Sequence, residues 1–129
     1  MANISIDIDD LADEITLAVR EYAEDVSAAI AKEVDERSKE LVENIRNDSP
    51  EKTEEYKKGW ARKKLSYGEG ETAYVVYNKN KPWLAHLLEN GHAKRGGGRV
   101  AGRPHIRPNM EQAEKQLLEN IEKIIRNGG

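Results

Sequence analysis

Three histidines, His86, His92 and His105, fall in the stretch His86 to Pro108, HLLENGHAKRGGGRVAGRPHIRP, with Glu89 among them and Asn109 just beyond. Beside them stand Lys94, Arg95, Arg99, Arg103 and Arg107. Imidazoles and a carboxylate to hold an ion, with cations to hold a phosphodiester, are what a metal-dependent nuclease requires. The spacing argues against one. His86 and His92 are six apart with Gly91 between them, which is not the i, i+4 pair of a helical zinc site, and no second cluster completes a ligand set. No aspartate occurs after Asp48, whereas magnesium nucleases need convergent carboxylates. Gly96-Gly97-Gly98 lacks the preceding strand, the immediately following helix and the lysine of a phosphate-binding loop. Neither an enzyme nor a cofactor is expected.

The same residues read better as a contact surface. Leu84, Leu87 and Leu88 have helical spacing, and Asn90-Gly91 stops that helix, since glycine takes the left-handed C-terminal conformation without a Cβ clash. The loop that follows is cationic, rich in glycine and unable to bury apolar surface by itself, so it is expected to order against a partner. His92, Lys94, Arg95, Arg99, Arg103, His105 and Arg107 are the candidate partner-binding residues. Pro104 and Pro108 bias the residues before them toward extended geometry, which makes Gly102 to Pro108 an extended lead-in, and Pro108 stands where a helix can start.

The elements that must position this stretch are legible from periodicity. Ile4, Ile6 and Ile8 alternate as in a short strand. Asp7, Asp9 and Asp10 then suit a helix start, and Leu11, Ile15, Val19, Tyr22, Val26, Ile30, Val34, Leu41 and Ile45 form one stripe on a helix from Asp9 to Arg46. At 1.5 Å per residue it is roughly 55 Å long, more than a small domain covers, so part of it must meet another chain or stand in water. Ser49 and Pro50 are suited to open a short second helix through Lys58, which Gly59 ends. Two strands, Trp60 to Tyr67 and Glu71 to Asn78, are expected around Gly68-Glu69-Gly70. Trp60, Leu65, Val75 and Trp83 are assigned to the core, because a core this poor in aromatics needs its few large side chains. A helix from Trp83 to Asn90 and a C-terminal helix from Pro108 to Arg126 complete the set, with Asn127-Gly128-Gly129 fraying. Trp60, Trp83, Gly91, Pro104 and Pro108 are the structural positions.

Composition bounds the class. The chain has 129 residues, 35% of them charged, 5% aromatic, with no phenylalanine and no cysteine. The charged fraction exceeds the roughly 25% of an average domain, which disfavours a compact enzyme with a deep apolar pocket. Disulfides and thiolate sites are excluded. No apolar run reaches the roughly 20 residues of a membrane span, and the acidic N-terminus does not read as a signal peptide. The net charge of -3 hides a segregation: residues 1–56 hold 17 acids and 6 bases, residues 57–107 hold 3 acids and 12 bases, and residues 108–129 hold 4 acids and 3 bases. The acidic and basic regions neutralise each other within one molecule, meet across subunits, or face different partners. A nucleic-acid-binding module is the alternative, with Lys57, Lys58, Arg62, Lys63 and Lys64 adding to the loop's cations, although no groove-reading motif is present and the molecule is acidic. The expected architecture is one α+β domain over residues 1–129: a long N-terminal helix and a C-terminal helix packed on a small antiparallel sheet, with a basic glycine-rich loop.

Four motifs in order, Ser49-Pro50, Tyr56-x-x-Gly59-Trp60, His86-Leu87-Leu88-Glu89-Asn90-Gly91-His92 and Gly102-Arg103-Pro104-His105-Ile106-Arg107-Pro108, give a chain that resembles the small tail-completion, or head-tail joining, proteins of long-tailed bacteriophages. The resemblance covers nearly the whole chain. It departs at Thr53-Glu54, where many relatives have Thr-Gly, and at His105, where they have an aromatic residue. The resemblance implies a non-enzymatic virion part, made in the host cytoplasm, that joins the head connector to the tail tube. The excess apolar stripe and the segregated charge add the expectation of a head-to-tail ring of identical subunits, six-fold by preference or twelve-fold, in contact with neighbouring head-connector and tail proteins. DNA would pass through such an assembly without sequence-specific binding, and no membrane is involved.

Overall fold

The computed structural model describes residues 8–50, 54–65 and 73–129. The elements run α1 (Ile8–Asp48), α2 (Glu54–Lys58), β1 (Trp60–Leu65), β2 (Ala73–Asn78), α3 (Pro82–Asn90), β3 (Gly91–Ala93), β4 (Arg99–Ala101) and α4 (Arg107–Asn127). The fold is α+β. Ile4, Ile6, the joint at residues 68–70 and the turn after Pro50 lie outside the described residues. Ile8, read above as the end of a strand, instead opens α1.

The stripe on α1 is buried in a gradient. Leu41, Val42 and Ile45 are buried, Val26, Ile30 and Val34 are half-buried, and Ile8, Leu11, Ile15, Val19 and Tyr22 are exposed. α4 explains the gradient. Its first turn lies beside the end of α1, where the Asn109 amide donates to the Asp48 carboxylate over 2.9 Å, and its last turn lies beside Tyr22, whose hydroxyl donates to the Ile125 carbonyl over 2.8 Å. The two helices are therefore antiparallel, and α4 stops at Tyr22. Ile8 to Glu21 continue past it for roughly 21 Å. Gly128 closes α4 in a left-handed conformation, its N–H donating to the Ile124 carbonyl, so the C-terminus is capped rather than frayed.

β1 and β2 pair antiparallel from Trp60 opposite Asn78 to Leu65 opposite Ala73. Strand alternation gives the ladder two different faces. Val76 packs on the core and Tyr74 bonds to Asp35 of α1, so their face lies against the helix. Val75 and Tyr77 are on the other face and exposed, which corrects the assignment of Val75 to the core. Leu65 is half-buried. Trp83 is corrected likewise, being 63% exposed. Leu84, Ala85 and Leu88 turn the one buried face of α3 to the core, and a nine-residue helix leaves Trp83 and Leu87 on the other. The core itself is Leu41, Val42, Ile45, Tyr56 and Trp60, with Val76, Leu84, Leu88, Ile106 and Ala113 packed against it.

The glycine-rich segment is not a plain loop. It folds on itself as the hairpin β3–β4, with Gly91 opposite Ala101 and Ala93 opposite Arg99. The Lys94 N–H donates to the Gly98 carbonyl, and Gly97 and Gly98 take the positive φ that this turn demands.

Candidate functional site

The four motifs converge on one buried clasp. Ser49 sits just past the end of α1, where its hydroxyl donates to the Ile45 carbonyl over 2.6 Å and accepts from the Trp60 indole over 2.8 Å. That satisfies the polar tip of a tryptophan that is 4% exposed. Tyr56, Trp60 and His105 pack edge to face, with ring centroids 5.6 to 6.1 Å apart. His105 was expected to face a partner and is 1% exposed, which corrects that expectation. Its Nδ1 meets the Arg103 carbonyl at 2.8 Å, and a carbonyl only accepts, so Nδ1 carries the proton. Nε2 is then the acceptor for the Tyr56 hydroxyl at 2.5 Å. Burial first, and the Glu89 charge second, push the Tyr56 hydroxyl well above the ordinary tyrosine range, so it keeps the proton it donates.

Glu89 is the residue the sequence reading left without a role. From α3 its carboxylate reaches the start of α4, where Oε1 accepts from the His105 and Ile106 N–H groups and Oε2 from Arg107, over 2.7 to 2.9 Å. These are the unpaired donors of a helix N-terminus, and α4 has no side-chain cap of its own. Burial opposes ionising Glu89, but the three backbone donors outweigh it, and its carboxyl titrates below the usual glutamate range. Ile106 is in the right-handed helical region and Arg107 is already helical, so the lead-in is not extended to its end. Pro108 does stand in the first turn of α4, as expected of it.

Two glycines let the hairpin approach α3. Gly91 has a φ of +78°, and a Cβ there would collide with the Val100 carbonyl, while a Cβ on Gly102 would meet the Glu89 carbonyl. Gly91 opens a strand in this conformation, with ψ at 176°, instead of closing the helix in the left-handed region. The Arg103 N–H donates to the Leu88 carbonyl over 2.7 Å. The hairpin's base is thus tied to the clasp while its side chains point away from it.

His92, Lys94, Arg95, Arg99, Arg103 and Arg107 are all exposed. Arg99 donates to the Asn90 carbonyl over 3.0 Å; the hairpin's cations are otherwise available for contact, among the described residues. His86 bonds its own helix at Asn90, 3.0 Å away. Two of the cations near β1 that would add to the hairpin's are engaged within the subunit. Arg62 is held between Asp35 and Ser38 on α1 and lies over the Tyr74 ring, 4.6 Å from its centroid. That bond to Arg62 first, and the one to Tyr74 second, keep the Asp35 carboxyl below its usual range. Lys58 pairs with Glu54 at 3.3 Å. No described helix is long and apolar enough to cross a membrane.

The site therefore divides into a buried clasp that holds the fold and an exposed, cation-rich surface on the hairpin. The chain matches the family model described as "Bacteriophage HK97-gp10, putative tail-component" over residues 9–91. It belongs to this family of phage tail components. The match takes in α1 through α3 and ends at Gly91, so the hairpin and α4 lie beyond it. No curated protein and no solved structure matches the chain.

Proposed function

We propose that this tail component is a neck protein: a single-domain, non-catalytic ring subunit, six-fold or twelve-fold, that joins the head connector to the tail tube in the virion after synthesis in the host cytoplasm. The observation that carries the reading is the projecting end of α1. Ile8, Leu11, Ile15 and Val19 present an apolar stripe that is exposed among the described residues. A lone helical arm of this length is marginal in water and gains stability when its apolar face is packed. Together with the segregated charge, it suits a head-to-tail contact in which one surface of a subunit meets a different surface of the next, the geometry that closes rings.

In this reading His92, Lys94, Arg95, Arg99, Arg103 and Arg107 dock on acidic side chains or free carbonyls of a neighbouring ring, where charge fixes orientation more than it adds affinity. DNA passes through the assembly without being read. Phage carrying serine at Lys94, Arg95, Arg99 and Arg103 together is expected to yield separate filled heads and free tails, with the isolated subunit still folded. Normal yields of infectious particles would sink the joining role. A second reading, a nucleic-acid-binding module, is favoured by the same exposed hairpin. A gel shift with random duplex DNA at low and moderate salt decides it, since phosphate contacts give retardation that fades steeply with salt.

A further inference from the structure

Among the described residues, the arm of α1 and the outer face of the β1–β2 ladder are two exposed surfaces that carry large apolar side chains. The arm runs from Ile8 to Glu21, roughly 21 Å. The ladder's outer face has Ala61, Lys63 and Leu65 on β1 opposite Tyr77, Val75 and Ala73 on β2. Strands of six residues give it a length of roughly 20 Å, so the two surfaces match in extent.

They also match in charge. The arm carries five carboxylates against the single Arg20. The chain from Lys57 to Leu65 carries five bases and no acid. Two of those bases are engaged within the subunit, Lys58 by Glu54 and Arg62 by Asp35. Among the described residues Lys57, Lys63 and Lys64 make no ion pair, and Lys63 lies on the outer face itself.

We propose that the arm of one subunit lies across the outer face of the β1–β2 ladder of a second copy, with Ile8, Leu11, Ile15 and Val19 against Leu65, Val75 and Tyr77. The proposal rests on the ring reading above and names the surface that receives the arm. Pairing of two arms side by side is the competing arrangement, and charge disfavours it. It would bring ten carboxylates together against two arginines, with like charges repelling along the seam. A contact between different surfaces also leaves each subunit with one free arm and one free ladder. It therefore propagates until a ring closes, where an arm pair would stop at a dimer.

The chain has no cysteine, so introduced thiols report the contact cleanly. The full chain is prepared as Ile15→Cys, as Val75→Cys and as both together, oxidised mildly and run on non-reducing gels. Wild-type mass is measured by mass photometry in parallel. Both positions are exposed, so all three variants should melt like wild type. The double variant is expected to give a ladder of covalent multimers. The mixture of single variants should give dimer well above that of either alone.

Dimer from Ile15→Cys alone at the level of the mixture would mean that arms pair with each other and overturns the proposal. So would a disulfide from Ile15→Cys to a different virion protein when particles bearing both substitutions are oxidised. A ring mass for wild type with no mixed disulfide overturns the docking and leaves the ring standing. Monomer mass at every concentration with no disulfide removes the docking and its support for the ring together.

Discussion

The two ends of α1 are built from the same apolar stripe and serve opposite purposes. From Ser38 to Ile45 the stripe is buried and anchors a clasp whose polar atoms are paired: Trp60 to Ser49, Tyr56 to His105, and Glu89 to three backbone donors. From Ile8 to Tyr22 it is exposed on a helix that nothing in the described chain covers below Tyr22. Periodicity alone does not separate the two, because burial is decided by where α4 stops. The lesson is that one helix can be core at one end and contact surface at the other, and that mutations should divide accordingly between folding and assembly.

The largest test of that division is at the tryptophans. Trp60→Ala removes a buried ring and the indole N–H that donates to the Ser49 hydroxyl, and should cost roughly 3 to 5 kcal/mol, as buried aromatic truncations do. Trp83→Ala, on the exposed face of α3, should stay within about 0.5 kcal/mol of wild type. Urea melts of the two variants decide it. Equal losses would erase the boundary between clasp and surface.

Glu89 sharpens the comparison with a sign. Its folded-state carboxyl lies below the ordinary range, so its contribution is fully present above the unfolded glutamate value of about 4.3 and is lost as pH falls through the folded value. Glu89→Gln keeps the shape but not the charge, and should cost on the order of 2 kcal/mol at pH 7, in the range of hydrogen bonds to charged groups. Melts from pH 7 down to pH 3 should bring wild type and variant together at the acid end. A constant gap across that range would mean that the charge of Glu89 does not hold the start of α4.

Much of the architecture was legible because it rests on periodicity and punctuation. The long helix, the hairpin ending at Asn78, the short helix ending at Asn90 and the C-terminal helix follow from apolar spacing, Gly59, Gly91 and Pro108. Trp60 was placed correctly and Trp83 was not, since a tryptophan's size argues for burial but says nothing about which face of a nine-residue helix it occupies. The clasp was illegible for a different reason. The bonds that tie its elements together join positions 11 to 49 residues apart, and a histidine beside arginines in a glycine-rich stretch reads as surface until the Tyr56 hydroxyl and the Arg103 carbonyl are known to face it. Glu89 had one signal available, the only carboxylate of α3, followed by a chain that must start another helix. The hairpin was read as a loop because three residue pairs are too short to show strand alternation.

A smaller effect on folding, and a larger one on assembly, is expected at Ile15. Ile15→Ser lies on the arm and should leave the subunit's melt within about 0.5 kcal/mol of wild type. Mass photometry should then show fewer large species than wild type at equal concentration. A lowered midpoint in the monomeric subunit would mean that the arm folds back on its own chain, and the division of α1 into two ends would fail.

The smallest effects belong to the hairpin. Arg95→Ala should leave stability nearly unchanged, and Arg99→Ala should cost no more than about 0.5 kcal/mol, because its bond to the Asn90 carbonyl is exposed to water. The backbone should reveal the same weakness. β3 and β4 share three residue pairs and bury no large side chain, with Val100 the one sizeable apolar group and itself exposed. Opening them therefore sacrifices little apolar contact, whereas opening α1 at Ile45 dismantles the core. Amide exchange in the isolated subunit should be fast at His92 and Val100 and slowest around Leu41 to Ile45, with the hairpin amides slowing once the neighbouring ring is bound. Protection of the hairpin equal to that of Ile45 in the free subunit would place it with the clasp, and its cations would then decorate a rigid surface with no ordering left for a partner to complete.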